Sequence, residues 1–140
     1  MQSYVRSWNN ALVPSAEGIQ RVYELSVSAW SSHDLDALMA LFSVDAVLYD
    51  PVDAPPRKGV QSIREFFGLG IDAMRSCILA GPVHVSADCR HAAASIRSEL
   101  VLGDEILVAE TIDVMTFDDD GRIATMTAYW GPTNMVTAKS

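Results

Sequence analysis

The sequence predicts an α+β fold: a cone-shaped, strongly curved and mostly antiparallel β-sheet with three N-terminal helices packed on one face. Two observations lead to this prediction. Before residue 70, apolar residues recur at every third or fourth position in three segments, and after it four long strand-like segments are separated by short turns. Long strands in a meander twist and coil, so helices laid across the concave face leave room for a cavity.

The three helices are predicted from apolar spacing and from their ends. Residues 16–32 form the first helix, after Pro14-Ser15. Asp34 suits the first turn of the second helix, whose apolar stripe consists of Leu35, Leu38, Met39, Leu41 and Phe42. Residues 62–67 form the third helix, which ends near Gly68 and Gly70.

The strands are predicted from runs of β-branched and aromatic residues. Residues 46–49 form a strand that stops at Asp50-Pro51, because proline cannot donate a ladder hydrogen bond. Four longer strands cover residues 77–85, 92–102, 106–117 and 123–130. The segments between them are short and rich in turn residues, which is typical of a meander.

Composition limits the classes of function. With 140 residues the chain is predicted to form a single domain over residues 1–140, and a hydrophobic fraction of 49% favours an apolar ligand pocket or a subunit interface. A net charge of -8 without a basic cluster argues against nucleic acid and anionic membranes as partners. We expect a cytoplasmic protein with reduced cysteines at Cys77 and Cys89, since neither a signal peptide nor a disulfide framework is evident.

Asp113 is the most informative residue, because it interrupts an apolar strand face. With a period of two it shares that face with the residues Leu107, Ala109, Thr111, Met115 and Phe117. Burial penalises an ionised carboxylate, so the pKa of Asp113 should rise until the neutral acid can donate a hydrogen bond. The alternatives are an outward-facing aspartate or one paired with Arg97.

Asp50 lies where a strand ends above the predicted cavity. An Asp-Pro pair at that place is explained equally well by turn chemistry. A carboxylate there could also act as a general base, and two carboxyl groups with different pKa values commonly divide the roles of acid and base.

Other chemistries have little support. His33, His84 and His91 are scattered without metal-ligand spacing, and neither a phosphate-binding glycine loop nor a nucleophile elbow occurs. We therefore expect no metal and no cofactor. Trp130 and Met115 could line a ligand pocket, although core packing would explain them as well.

Two segments resemble bacterial Δ5-3-ketosteroid isomerases. The first runs from Leu48-Tyr49-Asp50-Pro51-Val52 through Pro55-Pro56-Arg57-Lys58-Gly59 to Ile63-Arg64-Glu65-Phe66-Phe67. The second comprises Ile112-Asp113-Val114-Met115, Phe117, Gly121-Arg122-Ile123 and Met126-Thr127-Ala128-Tyr129-Trp130. The similarity spans residues 16–134, and the last segment is shared loosely by the wider superfamily of nuclear transport factors (NTF2-like proteins) and SnoaL-like polyketide cyclases.

The resemblance implies a role for each matching residue. Asp50 matches the catalytic base, Asp113 the protonated acid of the oxyanion hole, and Trp130 an aromatic wall of the steroid pocket. The family's oxyanion-hole tyrosine falls on Ser26, with Tyr23 one helical turn earlier. Two further tyrosines of the family's hydrogen-bond network fall on Phe42 and Phe67, which lack the hydroxyl group.

Three functions remain open. The first is an allylic proton shift with Asp50 as base and Asp113 as hydrogen-bond donor, and the substrate-binding residues would be Ser26, Tyr23, Phe42, Phe67, Met115 and Trp130. The second is ring closure in a polyketide or polyether precursor by epoxide opening, which uses the same two acids without the tyrosines. The third is non-catalytic binding of an apolar ligand. The apolar residues Ile106, Val108, Ile112 and Val114 on the opposite strand face also favour a homodimer.

Overall fold

The structure is a computed structural model that describes residues 4–6 and 12–139. In this part of the chain the α-helices are α1 (Ala16–Ser31), α2 (Leu35–Met39) and α3 (Val60–Gly68). Ser15 caps α1 by accepting a hydrogen bond from the backbone N–H of Gly18 at 2.9 Å, and Asp34 caps α2 through that of Ala37 at 3.0 Å. The three predicted helices are confirmed, but the predicted stripe of α2 is wrong at its end, because the helix stops at Met39, Leu41 follows it in a turn and Phe42 begins the next strand.

Most of the strands form one open, curved sheet. In chain order the strands are β1 (Tyr4–Arg6), β2 (Leu12–Pro14), β3 (Phe42–Tyr49), β4 (Arg57–Lys58), β5 (Met74–Leu79), β6 (His84–Val85), β7 (His91–Leu102), β8 (Glu105–Phe117), β9 (Ile123–Tyr129) and β10 (Met135–Lys139). β1 pairs with β2, and the others follow the order β4-β3-β9-β8-β7-β5, with β10 beside β8 and β6 beside β7. Only the β3–β9 pair is parallel among these strands, so the predicted fold class is confirmed.

One predicted strand is wrong in its extent. Residues 77–85 do not form a single strand, because the chain leaves the sheet after Leu79 and returns at His84 as β6. Gly81 and Pro82 lie in the gap, and proline cannot donate to a ladder. Both pieces pair with β7, so the order of the sheet is unaffected.

The helices cover one face of the sheet and leave the other open. The core between helices and sheet includes the fully buried residues Ile19, Tyr23, Leu38, Leu48, Ile63, Met115 and Ile123. Large apolar side chains remain exposed elsewhere, among them Ile78, Val101, Ile112, Tyr129 and Val136. Within the described residues, the helices are too short or too polar to cross a membrane.

Candidate active site

A cavity of about 390 Å³ lies between the helices and the covered face of the sheet. Its wall is overwhelmingly apolar, and among the described residues that line it only Asp50 and Asp113 have acidic or basic side chains. A pocket with few polar groups in an apolar wall is the usual form of a small-molecule site. The two acids are therefore the groups in the wall that can carry out proton chemistry.

Ala128 lies between the two acids. Asp113 pairs with Ala128 in the antiparallel β8–β9 ladder. Tyr49 pairs with Thr127 in the parallel β3–β9 ladder, so Asp50, the next residue, comes alongside Ala128. Neighbouring strands lie about 4.8 Å apart, so the backbones of the two acids are separated by roughly 10 Å, or two such spacings. The sheet thus presents both carboxyl groups to the same part of the cavity.

The environment of Asp113 favours the neutral form of its carboxyl group. Burial, with a further contribution from the negative charge of Asp50, raises the pKa of Asp113 to about 7. The hydroxyl of Thr111 donates a hydrogen bond to Oδ1 of Asp113 at 3.3 Å, which acts in the opposite direction. Arg97 does not reach this side chain, because it pairs with Glu110 at 3.5 Å on the outer face of the sheet.

Asp50 has a different environment. Burial raises its pKa, while the indole N–H of Trp130, which donates to Oδ1 at 2.6 Å, and the charge of Arg57 lower it. The Arg57 guanidinium lies over the ring of Phe66, 4.0 Å from its centroid. Both compensating groups favour the ionised form of Asp50, and no such cation acts on Asp113. This difference separates the two acids into a candidate base and a candidate acid.

Tyr23 is fully buried on α1 and is absent from the cavity wall. Its hydroxyl donates a hydrogen bond of 2.9 Å to the backbone carbonyl of Asp113, and the backbone N–H of Met115 is a second partner. Burial raises the pKa of Tyr23, so its hydroxyl stays protonated. In this arrangement Tyr23 fixes the backbone of β8 at Asp113, and its own hydroxyl does not line the cavity.

Ser26 does line the cavity, at the position where the family's tyrosine was expected. Its hydroxyl donates to the backbone carbonyl of Tyr23, one turn earlier on α1, at 2.8 Å. This is a common bond for serine inside a helix, and it occupies the only proton that the side chain can donate.

Phe42, Phe67 and Met115 all line the cavity. The rings of Phe42 and Phe67 meet edge to face with their centroids 5.8 Å apart, and Trp30 packs edge-on against Phe67 at 5.0 Å. Met115 follows Asp113 on the same face of β8 and is 1% exposed. All three residues are in the wall, and none supplies a hydroxyl.

Some polar residues of the site were not singled out from the sequence. Thr111 could have been, because it shares the strand face of Asp113. Cys77 and Ser98 also line the wall, with 3.8 Å between Sγ and Oγ, and burial raises the pKa of the Cys77 thiol to about 12. Arg57 carries no local signal, since only the fold brings it near Asp50.

The described residues contain no group of three His, Cys, Asp or Glu side chains placed to hold a metal ion. The polar groups of the cavity are hydroxyls, one thiol and two carboxyls, in addition to the indole of Trp130. Such groups can donate, accept and transfer protons.

A curved sheet, helices over one face and an apolar cavity that contains two acids in different environments define a small α+β protein with a candidate small-molecule site. Residues 19–126 match the model of the SnoaL-like domain family. The steroid Δ-isomerase of Nocardioides simplex is 45% identical over 100 residues, which cover 71% of this chain and 79% of that protein. The chain therefore belongs to the SnoaL-like domain family, within the NTF2-like superfamily.

A solved structure has the same fold. It is that of the epoxide hydrolase/cyclase-like enzyme SalBIII, described for its role in pyran ring formation in the polyether salinomycin. The TM-score is 0.78, the identity is 22%, and the match covers 85% of this chain and 95% of that one. The predicted family is confirmed, and the predicted class of enzyme, an isomerase or a cyclase, is confirmed with it.

Proposed function

We propose that the protein moves the double bond of a Δ5-3-ketosteroid into conjugation with the carbonyl group, giving the Δ4 isomer. The observation that carries this proposal is the placement of Asp50 and Asp113 on either side of Ala128 in an apolar cavity. The steroid as substrate rests on the 45% identity to a steroid Δ-isomerase. An apolar wall suits a fused hydrocarbon skeleton, which offers few polar groups to bind.

In the first step Asp50 acts as the base. Its carboxylate removes a proton from the carbon between the carbonyl group and the double bond, which breaks a C–H bond and forms an O–H bond on Asp50. The electron pair that is released moves toward the carbonyl oxygen and gives a dienolate. Asp50 then returns the same proton to the far carbon of the former double bond. The Trp130 indole, which donates to Oδ1, holds the Asp50 carboxyl group in place while the other oxygen carries the proton between the two transfers.

Asp113 acts on the oxygen. In its neutral form the acid donates a hydrogen bond to the carbonyl oxygen, where negative charge develops in the dienolate. The pKa of about 7 keeps a useful fraction of Asp113 protonated at neutral pH. Tyr23 and Thr111 orient the acid, through its backbone carbonyl and through its carboxyl group respectively.

The test is an ultraviolet assay of the purified protein with 5-androstene-3,17-dione, in which the conjugated enone absorbs as it forms. We expect turnover, and Asp50→Asn should lower it by a factor of about 100 to 10,000 because the amide cannot accept the proton. Asp53→Asn is the matched control, since Asp53 is an exposed acid three residues away and outside the cavity wall. Absence of enone above the uncatalysed background would rule out this function.

A second function is favoured by one observation. Both hydroxyls that could replace the family's oxyanion-hole tyrosine are engaged with backbone carbonyls, so the dienolate would have Asp113 as its main donor. Epoxide opening needs no such network: Asp113 would protonate the epoxide oxygen while Asp50 deprotonates the attacking hydroxyl. Incubation with an epoxide that bears a tethered alcohol would yield a cyclic ether from a cyclase and unchanged substrate from an isomerase.

We also propose a homodimer formed through the open face of the sheet. Ile78, Val101, Ile112 and Tyr129 are 49%, 43%, 44% and 49% exposed there, and a second copy would cover them. Light scattering after size exclusion should give twice the monomer mass, and Ile112→Asp should give the monomer mass. A monomeric wild type would contradict this assignment.

The cytoplasmic location stays a prediction.

A further inference from the structure

The cavity extends far beyond the two acids along β8. The side chains of β8 that line it are Leu107, Ala109, Thr111, Asp113 and Met115, which alternate with outward-facing residues. On one side of Asp113 the wall continues past Met115 to Ile123 and Phe42, which pair with each other in the row of Phe117. On the other side it continues to Leu107, six residues or about 20 Å along the strand. The longer part of the trough therefore lies on the Leu107 side of the acids.

Two rows of side chains form the far part of the trough, as the strand register shows. Met74, Leu100 and Leu107 lie side by side on β5, β7 and β8. In the next row toward the acids, Met135 of β10 lies beside Ala109 of β8. All five of these side chains line the cavity and all five are apolar.

An exposed apolar side chain also belongs to the cavity wall. Leu69 follows α3, precedes Met74 by five residues in the chain and is 86% exposed. Its neighbour Gly70 has no side chain, and a Cβ at that position would meet nothing within 4 Å, so there is open space beside Leu69. A leucine left in water at the edge of a pocket gains free energy when a ligand covers it.

We propose that the substrate carries an apolar tail, an alkyl chain at the end of the ring system remote from the reacting carbonyl group, and that the tail lies along Ala109, Leu107 and Met135 to reach Leu69. This inference rests on the proposed function for the position of the reacting end. Four fused rings placed at Asp113 occupy roughly half of the strand length to Leu107, which leaves the rest for a tail.

The chemistry of the tail follows from the wall. Among the described wall residues beyond the two acids there is no charged group, and the polar ones on the strands toward Leu107 are the neutral Thr111, Ser98 and Cys77. A carboxylate or phosphate on the tail would lose its hydration here without gaining a positively charged partner. A hydrocarbon chain, in contrast, would be covered on several sides by leucine and methionine.

The test compares two ketosteroids that share the reacting end. We expect kcat/KM to be at least about tenfold higher for 5-cholesten-3-one, which has a branched alkyl tail, than for 5-androstene-3,17-dione, because each buried methylene contributes to binding. Both are presented in the same cyclodextrin. Leu69→Ser and Leu107→Asn should each lower the ratio of the two values by about fivefold, which a general loss of activity would not do.

Val44→Ser is the matched control, since Val44 is 79% exposed and lies outside the cavity wall, and it should leave the ratio unchanged. If the short ketosteroid is isomerised as efficiently as the long one, the proposal of a tail is wrong, while the proposed isomerase activity is supported. If neither ketosteroid is isomerised, the proposed isomerase activity is wrong, and the tail is tested by calorimetric binding of 4-cholesten-3-one and 4-androstene-3,17-dione. Tighter binding of 4-cholesten-3-one that weakens in Leu69→Ser supports a site for the tail. Equal binding of the two steroids overturns it.

Discussion

The indole N–H of Trp130 donates a hydrogen bond to Oδ1 of Asp50 at 2.6 Å, across the parallel edge between β3 and the end of β9. The bond joins the candidate base to the aromatic residue that also forms part of the cavity wall. A hydrogen bond to the ionised form favours it, so Trp130 offsets part of the rise in the pKa of Asp50 that burial causes.

Trp130→Phe keeps an aromatic wall and removes the donor. The pKa of Asp50 should then rise further, because the ionised form loses a hydrogen bond that stabilises it. The acidic limb of the pH profile of kcat/KM should therefore move to higher pH. Tyr129→Phe, on the outward face of the same strand, should leave that limb in place. An unchanged limb in Trp130→Phe would mean that the bond does not control the base.

The pH profile should also report on Asp113. The proposed reaction needs Asp50 ionised and Asp113 protonated, so kcat/KM should rise as Asp50 loses its proton and fall above about pH 7 as Asp113 loses its own. Because the two acids interact, the apparent pKa values of the two limbs describe the pair of acids together. In Asp113→Asn the side chain at position 113 cannot ionise. This variant should therefore abolish the basic limb, and it should lower the optimum rate by about tenfold, because the amide is a weaker donor than the acid.

A retained basic limb in Asp113→Asn would assign that limb to another group. Glu110→Gln provides the comparison, since Glu110 lies on the outer face of β8 in an ion pair with Arg97. This variant should keep both limbs.

Asp113 should also make stability depend on pH. Its pKa is about 7 in the folded protein and has the ordinary value of an aspartate in the unfolded chain. The folded state therefore holds the proton more tightly. The associated stability is fully present below the ordinary pKa and is lost as the pH rises through 7.

Relative to Asp113→Asn, the free energy of unfolding of the wild type should therefore fall by roughly 2–4 kcal/mol between pH 4 and pH 8. Urea unfolding at several pH values measures the difference. Parallel curves for the two proteins would show that Asp113 keeps an ordinary pKa in the fold.

Local sequence pattern was sufficient for much of this structure. The period of two placed Asp113 on the buried face of β8, and Pro51 placed Asp50 at the end of β3, because both inferences need only neighbouring residues. The position of the two acids beside Ala128 depends on the parallel register of β3 with β9, which joins residues nearly eighty positions apart. No local pattern contains that pairing, and the resemblance to the isomerases implied only that the two acids act at one site.

The roles of hydroxyl groups were hardest to predict. Tyr23 and Ser26 are three residues apart on α1, and the helical period does not say which of them faces the cavity and which faces the sheet. The packing of α1 decides it: Tyr23 contacts the backbone of β8, and Ser26 lines the cavity. Arg57 was missed for a similar reason, since a loop and a short strand carry it to Phe66.

Ser26 is the position where the missing donor can be restored. Ser26 lines the cavity, so the ring of a tyrosine placed there would enter it and could present its hydroxyl near Asp113. Loss of one oxyanion donor typically costs a factor of about 100 to 1,000, so Ser26→Tyr should raise kcat for a Δ5-3-ketosteroid by about tenfold or more. Ser26→Phe has nearly the same bulk without the hydroxyl and should lower kcat.

The comparison between Tyr and Phe at position 26 separates the donor from the volume it occupies. Thermal unfolding of both variants checks that the added ring is accommodated. A well-folded Ser26→Tyr that is no faster than Ser26→Phe would indicate that a dienolate is not formed in this cavity. It would then favour the cyclase, in which Asp50 and Asp113 act without a third donor.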